Sequence, residues 1–365
     1  MTANRTFTTP TPATTPDTAP SATPSHQDPT TSPPSDPRPR AHWRILLAVV
    51  ASLAIVVVTD MTLAFGLAGT PAGYVVATVG RVVAVFGVLA LTARWLDRRR
   101  LGDYGLARGG RWWADVAVGA AIGFGMFAFS SGVGIAAGWI EVRDILSPAA
   151  TGGLWLMLAL VALRLAAVSL WEEVLFRGVM IKNAAESLAQ RWPRTRAVLM
   201  ATAISTVVFA AIHVPQSLGA EGMSLARMAV MWVTMGGLLA LPYVVTGQLG
   251  LSLGLHLTVN LALQHVFVLW EQQAERSAVV LHLDVTGADV VAGAGGILQV
   301  AAIALGYLAM FGWLRWWHGP LRIHPSLTRL PEGAGQGDEG ADLDATSEGD
   351  TTVVVSTGCT PRAGR

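Results

Sequence analysis

Three charged side chains interrupt a long apolar stretch of the sequence, within residues 171–178. The stretch covers about residues 154–180, which is long enough for one membrane-spanning helix. Each Asp, Glu or Arg near the centre of such a helix costs roughly 2.5–3.5 kcal/mol on insertion scales. Ionisable groups at that depth usually face a water-filled cavity or a polar partner. Glu172, Glu173 and Arg177 therefore mark a candidate functional site.

The spacing of these three residues decides which of them can meet. Glu173 and Arg177 are four residues apart, so they share a helix face and can form an ion pair. Glu172 lies about 100° away from Glu173 around the helix axis, so the two carboxylates point in different directions. One carboxylate is thus predicted to pair with the arginine while the other faces a cavity.

Two further apolar stretches carry polar side chains at the same spacing of four residues. Phe209 and His213 share one face of the first, and His256 and Asn260 share one face of the second. Three predicted membrane helices therefore supply carboxylate, imidazole and amide groups.

The composition indicates that these helices belong to a polytopic membrane protein. Of 365 residues, 52% are hydrophobic and only 13% are charged, against about 25% charged in a typical soluble domain. We predict an all-α fold with about eight transmembrane helices, each near the 20 residues that cross a bilayer. The predicted spans are roughly 45–68, 74–95, 113–139, 154–181, 197–217, 223–245, 250–270 and 290–316. A net charge of +1 gives no support for a nucleic-acid partner.

The spans define one core between two polar tails. Residues 1–44 are rich in Thr, Pro and Ser, and residues 318–365 are largely Gly-rich and acidic, so both tails are predicted to be disordered. Residues 45–317 form the predicted eight-helix core. Sixteen Lys and Arg residues lie on connectors that would share one membrane face, against three on the other. The positive-inside rule then places both termini in the cytoplasm and the protein in the cell membrane.

The three polar motifs together resemble those of a known family. Residues 172–177 match Glu-Glu-x-x-x-Arg, residues 209–213 match Phe-x-x-x-His, and residues 256–260 match His-x-x-x-Asn. These are the motifs, in the same order, of the CPBP (CAAX protease and bacteriocin-processing, or Abi) family of intramembrane endopeptidases, relatives of the type II CAAX prenyl protease. The resemblance covers about residues 150–270.

The resemblance implies hydrolysis of a peptide bond by an activated water. Glu172 with His213 would take the proton of the water, and His256 with Asn260 would hold the oxyanion. The supporting residues would be Glu173, Arg177 and Phe209. The substrate would be a membrane-associated peptide or protein, which could be prenylated and cut near its C-terminus.

A metal-dependent version of this chemistry stays open. Glu172, His213 and His256 are all legitimate Zn²⁺ ligands, and three protein ligands plus water is the pattern of catalytic zinc. The His-Glu-x-x-His helix signature of many zinc proteases is absent from the sequence. The cofactor prediction is therefore either none or Zn²⁺ at these three residues.

Two other classes of function also stay open. In a non-catalytic membrane scaffold or bacteriocin-immunity protein, Glu173 and Arg177 would be a structural pair, and His256 and Asn260 would hydrogen-bond between helices. A transporter would use the charges as an ion path, but the paired halves with broken helices that typify transporters are not seen.

Helix counting raises one difficulty for a shared site. It places His213 nearer the outer end of its span, whereas Glu172 and His256 fall toward the cytoplasmic half. The depths agree only if the helices on either side of residues 182–196 extend into the cytoplasm. A separation of His213 from Glu172 beyond about 10 Å would contradict a single site, because catalytic partners must meet directly or through one water.

Small residues predict where helices approach closely. Gly119 with Gly123, and Gly134 with Gly138, have the GxxxG spacing of close helix pairs. Residues 250–254 fit the Gly-x-Ser-x-Gly pattern of serine hydrolases, but that motif requires a strand–turn–helix context. Because residues 250–254 open a predicted membrane helix, we interpret the match as coincidental.

Overall fold

The computed structural model describes residues 38–62, 71–106, 109–147, 153–217, 224–269, 278–293 and 295–331. Most of both predicted tails, at residues 1–37 and 332–365, lies outside this part of the chain, and their disorder stays a prediction. The first helix begins at Ala41, and the side chain of Leu327, in the predicted C-terminal tail, is fully buried.

Helices make up most of the described chain. The α-helices are α1 (Ala41–Thr62), α2 (Pro71–Leu91), α3 (Gly110–Ala136), α4 (Leu154–Glu173), α5 (Lys182–Ala189), α6 (Arg194–Ser217), α7 (Leu225–Thr246), α8 (Gly250–Leu261), α9 (Asp289–Ala292) and α10 (Ile297–Trp313). Four π-helical segments continue α2, α4, α8 and α10, at Thr92–Leu96, Val174–Ile181, Ala262–Val266 and Leu314–His318. Two short 3₁₀ helices lie at Leu101–Tyr104 and Pro325–Thr328.

Seven helices of the described residues are long and apolar enough to cross a membrane. They are Ala41–Met61, Val75–Leu96, Gly110–Ala136, Leu154–Ala189, Arg194–Val214, Leu225–Thr246 and Asp289–His318. The predicted class, an all-α polytopic membrane protein, is thereby confirmed.

The remaining predicted span, 250–270, is shorter than the sequence suggests. The 12-residue α8 and its five-residue π-helical continuation reach only about 25 Å at 1.5 Å per residue, less than the roughly 30 Å of hydrocarbon. The helix stops because the chain becomes extended at Phe267 and pairs with a strand. An apolar composition alone does not distinguish this strand from the end of a helix.

A small sheet, which the sequence did not predict, lies in two of the connectors. Strands β1 (Ile140–Ser147), β2 (Phe267–Val268) and β3 (Val279–Val285) have the order β1-β3-β2. β1 pairs antiparallel with β3, and β2 pairs parallel with it. The charged residues in these connectors indicate that the connectors face water. Because the same residues interrupt apolar runs, a search for such runs does not detect the strands.

Glycines set the close packing of α3 against α8. A Cβ on Gly119 would collide with the backbone of Leu251, and a Cβ on Gly254 would collide with the backbone of Val116. Thr258 reinforces the contact by donating its hydroxyl to the carbonyl of Ala120 at 2.9 Å. The predicted role of the Gly119 spacing in close packing is therefore confirmed.

The other small-residue motifs have different explanations. α3 ends at Ala136, and Gly138 follows it with a φ of 70°, so the second GxxxG spacing does not lie within one helix. Ser252 donates to the backbone oxygen of Leu239 at 2.8 Å and thereby ties α8 to α7. Its hydroxyl is used for packing, which agrees with a coincidental match to the serine-hydrolase pattern.

A long helical run at the centre of the fold, which we call the rod, carries the candidate site. α4, its π-helical continuation and α5 form one helical run of 36 residues, Leu154–Ala189. Every residue from 171 to 183 is buried, as expected for a helix surrounded by other helices. At 1.5 Å per residue the run is about 54 Å long, so it extends well beyond the hydrocarbon on one side.

Candidate active site

Glu173 contacts both Arg177 and His256 in a buried network of polar side chains. Its Oε1 lies 3.0 Å from Arg177 Nη1 and 2.7 Å from His256 Nδ1. Arg177 also donates through Nη2 to the backbone oxygen of Gly236 at 3.3 Å. Glu173 is fully buried and Arg177 is 1% exposed. The predicted helical pair of Glu173 and Arg177 is present, and it connects α4 to both α7 and α8.

Glu172 points away from this pair and toward two imidazole rings. Its Oε2 lies 3.6 Å from Nε2 of His256 and 3.9 Å from Nε2 of His213. The three side chains come from α4, α6 and α8, and all three residues are buried. The structure thus brings Glu172 and His213, which were predicted to act on the water, together with His256, which was predicted to hold the oxyanion.

The hydrogen bonds of the two histidines determine their tautomers. Nδ1 of His213 lies 2.7 Å from the backbone oxygen of Phe209. A carbonyl oxygen only accepts, so this Nδ1 carries the proton and donates it. Nδ1 of His256 likewise donates to the carboxylate of Glu173. In both neutral rings, the lone pair is therefore on Nε2, the atom that faces Glu172.

Three hydrogen-bond acceptors therefore face one another, namely Oε2 of Glu172 and Nε2 of His213 and His256. Oε2 of Glu172 is buried and has no hydrogen-bond partner among the residues that the structure describes. A carboxylate oxygen and two imidazole lone pairs repel one another unless a proton or a donor group lies between them. Distances of 3.6–3.9 Å are too long for direct hydrogen bonds, and a small widening of the cluster would admit a water between these atoms. The arrangement can bind a water and take a proton from it.

Aromatic rings hold the polar groups in place. The ring of Phe209 lies under the guanidinium of Arg177, with 4.4 Å to its centroid, and packs against His213 with ring centroids 4.5 Å apart. Trp232 of α7 also packs against His213, with centroids 4.3 Å apart, and against Phe209, with centroids 6.5 Å apart. Phe209 thus contacts both Arg177 and His213. Trp232 was not predicted, because a tryptophan in an apolar stretch carries no signal that separates it from a lipid-facing residue.

The difference in depth that helix counting predicts between His213 and Glu172 is explained by the helices around residues 182–196. α5 continues the rod to Ala189, and α6 starts at Arg194, so most of this region is helical. His213 then lies near the far end of a helix that begins beyond the membrane core. The observed 3.9 Å between His213 Nε2 and Glu172 Oε2 is far below the 10 Å limit.

Asn260 does not join the cluster. It lines a cavity of about 30 Å³ between α3, α7, α8 and α10, together with Trp232, Ser130 and Gln299. None of the hydrogen bonds between described residues connects Asn260 to Glu172, His213 or His256. The four-residue spacing correctly places Asn260 on the same side of α8 as His256. However, one helical turn separates them by about 5.4 Å, which directs Asn260 into the neighbouring cavity.

The residues as placed do not form a metal site. No group of three His, Cys, Asp or Glu side chains in the described part of the chain is arranged to hold a metal ion. Glu172, His213 and His256 have suitable donor atoms, but the 3.9 Å contact is wider than the roughly 3.3–3.5 Å between ligands of a tetrahedral zinc. The geometry therefore does not support the Zn²⁺ alternative.

Comparison with known protein families relates part of the chain to one of them. Residues 153–262, just under a third of the chain, match the family model described as type II CAAX prenyl endopeptidase Rce1-like. No curated protein matches the chain, and no solved structure does. The matched segment contains all three motifs and every residue of the cluster.

Proposed function

The chain is related through residues 153–262 to the CAAX prenyl endopeptidases, and from this premise we propose that it is an intramembrane endopeptidase that works without a metal ion. The observation that carries the proposal is the convergence of Glu172 Oε2 with Nε2 of His213 and His256. Each atom comes from a different helix, so chance packing of one polar stripe does not account for the cluster.

The proposed first step is attack of a bound water on the substrate carbonyl. Glu172, assisted by His213, takes one proton from the water as the oxygen bonds to the carbonyl carbon. The same proton then moves to the departing amine, which breaks the carbon–nitrogen bond and leaves Glu172 as it began.

His256 is the proposed stabiliser of the negative oxygen. We propose that Nε2 takes up a proton from solvent before the attack, which changes this atom from an acceptor into a donor toward the oxyanion, while Nδ1–H stays bound to Glu173 at 2.7 Å. The carboxylate of Glu173 balances the positive ring, and Arg177 limits the net charge that the pair places in the membrane. Donors fixed in advance in a dry site stabilise an oxyanion more strongly than water does.

The substrate proposal follows from the cavity and from the family. The cavity beside Trp232 and Asn260 is lined mainly by apolar side chains, with a few amide and hydroxyl groups. At about 30 Å³ the cavity has room for no more than a methyl-sized group of the substrate, which would lie next to the scissile bond with Asn260 holding the peptide backbone. Prenylated proteins cut near the C-terminus are the substrate class that the family description suggests for this chain.

The proposed orientation places both termini in the cytoplasm. It depends on the uneven distribution of Lys and Arg between connectors. With α8 and its continuation counted as an eighth, short crossing, both ends of the chain return to the same side. The extended end of the rod then lies in the cytoplasm.

A cleavage assay with matched variants tests the proposal. Purified protein in liposomes would be incubated with farnesylated and unmodified forms of the same C-terminal peptides, with products identified by mass spectrometry. We expect Glu172→Gln and His213→Gln to lower the rate at least about 100-fold, the low end for a lost acid–base group. His265→Gln is the control. His265 is another buried histidine near the end of α8, but its Nδ1 bonds to the backbone oxygen of Ala278 at 3.0 Å, away from the cluster.

The outcomes separate the competing functions. Cleavage at the wild-type rate by folded Glu172→Gln protein would refute the mechanism. If wild type cleaves nothing, yet a cellular effect of the protein persists in Glu172→Gln, a scaffold or immunity role is supported instead. A chelator should leave activity unchanged, and loss of activity that Zn²⁺ restores would establish the metal-dependent alternative.

A further inference from the structure

A large basic cavity lies on the rod's extended side, away from the catalytic cluster. Its volume is about 960 Å³, and its walls come from the connector after α2, from α5, from the turn after α7 and from the chain after α10. The charged groups that line it include Arg94, Arg98, Arg100, Lys182, Arg329 and Asp103. Lys182 is ten residues beyond Glu172, or about 15 Å along the helix axis. The cavity is therefore distinct from the active site.

The positive charge of this cavity is only partly balanced by nearby carboxylates, since Asp103 lines it and Glu186 pairs with Arg99. Among the described residues, Arg94, Arg98 and Arg100 form no side-chain ion pair. Lys182 donates to the backbone oxygen of Asp103 at 2.9 Å and not to its carboxylate. Arginines that only set membrane orientation can point freely into water. Arg94, Arg98 and Arg100 are exposed, but they line one concave volume, in which their like charges repel one another.

Arg99 supplies an independent sign of a missing partner. Its side chain is 2% exposed, and Nη2 pairs with Glu186 and also donates to the backbone oxygen of Arg329. Nη1 is buried and has no hydrogen-bond partner among the described residues, although Arg99 lines the cavity. A buried guanidinium nitrogen is costly to leave unpaired, so a small rearrangement that turned Nη1 toward the cavity would give it an acceptor, either a water or an anion.

The wall that carries these arginines is rigid. Asp97 accepts hydrogen bonds from Arg44 at 2.7 Å and from Asn183 Nδ2 at 2.7 Å, and also from the hydroxyl of Tyr104. Burial, followed by the charge of Asp97, raises the pKa of Tyr104 well above its ordinary value, so the hydroxyl stays a donor. Next to this network, Arg98 has a φ of 52°, a left-handed conformation that non-glycine residues rarely adopt. Such strain persists where the surroundings impose it, and it is frequent at ligand-binding positions.

From these observations we infer that the cavity is a binding site for a phosphate-bearing anion. Guanidinium groups present several N–H donors in a planar fork that matches phosphate oxygens. The ligand is either the headgroup of an anionic phospholipid or a soluble phosphate compound, since both offer the same chemistry. The inference does not depend on the proposed peptidase activity, because none of these residues belongs to the catalytic cluster.

The test is a binding measurement on the full-length protein in maltoside detergent. Isothermal titration would use inorganic phosphate in one arm and monomeric dihexanoyl phosphatidylglycerol in the other, with dihexanoyl phosphatidylcholine as the zwitterionic control. The test variant combines Arg94→Gln, Arg98→Asn and Arg100→Gln, where asparagine tolerates the left-handed backbone. The charge-matched control combines exposed arginines outside the cavity: Arg40→Gln, Arg191→Gln and Arg315→Gln.

We expect saturable binding in at least one anionic arm, at least tenfold weaker in the cavity variant and within twofold of wild type in the control. Binding of phosphatidylglycerol well above inorganic phosphate identifies a lipid headgroup, and comparable binding of inorganic phosphate identifies a soluble anion. The inference is overturned if neither anion binds, if phosphatidylcholine binds as well as phosphatidylglycerol, or if both variants lose affinity equally. Size-exclusion profiles and melting temperatures identify any variant that fails to fold.

Discussion

Replacing Glu173 with glutamine would remove the charge that compensates the buried guanidinium of Arg177. The two groups are 3.0 Å apart, and neither side chain is more than 1% exposed. Glutamine has nearly the same shape as glutamate, and its oxygen can still accept from Nδ1 of His256. The substitution therefore isolates the charge of Glu173 from its volume and from its hydrogen bond to the imidazole.

The expected loss of stability follows from this burial. Removing one partner of a buried ion pair leaves an uncompensated charge and costs about 3–5 kcal/mol. For a chain of this size, roughly 2 °C in melting temperature corresponds to 1 kcal/mol. Glu173→Gln should therefore lower the melting temperature by at least about 6 °C.

Thermal unfolding of the detergent-solubilised protein measures this loss, and a second substitution tests its cause. Arg177→Met removes the orphaned cation and keeps an apolar side chain against Phe209, so the double variant should recover most of the stability. The exposed Glu141→Gln serves as the control and should melt like wild type. A melting temperature for Glu173→Gln within 2 °C of wild type, or a double variant less stable than either single variant, would refute the ion-pair reasoning.

Three further predictions concern packing, topology and pH. Gly254→Ala should destabilise the protein by about 1–3 kcal/mol, because the added methyl group collides with the α3 backbone, whereas Gly125→Ala, with open space around it, should melt like wild type. The single cysteine, Cys359, should resist a membrane-impermeant maleimide in intact cells and react after permeabilisation. A Glu141→Cys variant that lacks Cys359 should show the reverse, and labelling of Cys359 in intact cells would contradict the proposed orientation. Burial, and to a smaller degree nearby cations, lowers the pKa of His324 below its usual 6.5, so the unfolded chain takes up this proton first and stability should fall as the pH drops below about 6.5. Melting temperatures at pH 7.5 and 5.5 should differ less for His324→Gln than for wild type, and an equal difference would contradict this assignment.

Much of the candidate site could be predicted because charge inside a membrane is expensive. Glu172, Glu173 and Arg177 stand out in an apolar stretch, and helical geometry alone separates the two carboxylates. The structure then shows one carboxylate 3.0 Å from the arginine and the other facing the imidazoles of His213 and His256.

The features that could not be predicted carry neither an energetic penalty nor a regular spacing that would mark them in the sequence. Trp232 packs on His213, but any tryptophan is acceptable in an apolar helix. Two of the partners of Asp97 come from distant parts of the sequence, and no local spacing connects Arg44 with Asn183. The sheet was missed because β2 has only two residues and β3 pairs with β1, which lies in a distant connector.

The length of α4 determines where in the bilayer the proposed chemistry would take place. From Leu154 to Glu172 the helix rises about 27 Å, close to the full 30 Å of hydrocarbon. The carboxylate thus arrives just beneath the cytoplasmic headgroup layer in the proposed orientation. Bulk water is then within a few ångströms, and no aqueous channel through the hydrophobic interior is needed. A substrate would have to dip by only about one helical turn, so proteins resting on the inner leaflet could be cut without being threaded into the membrane.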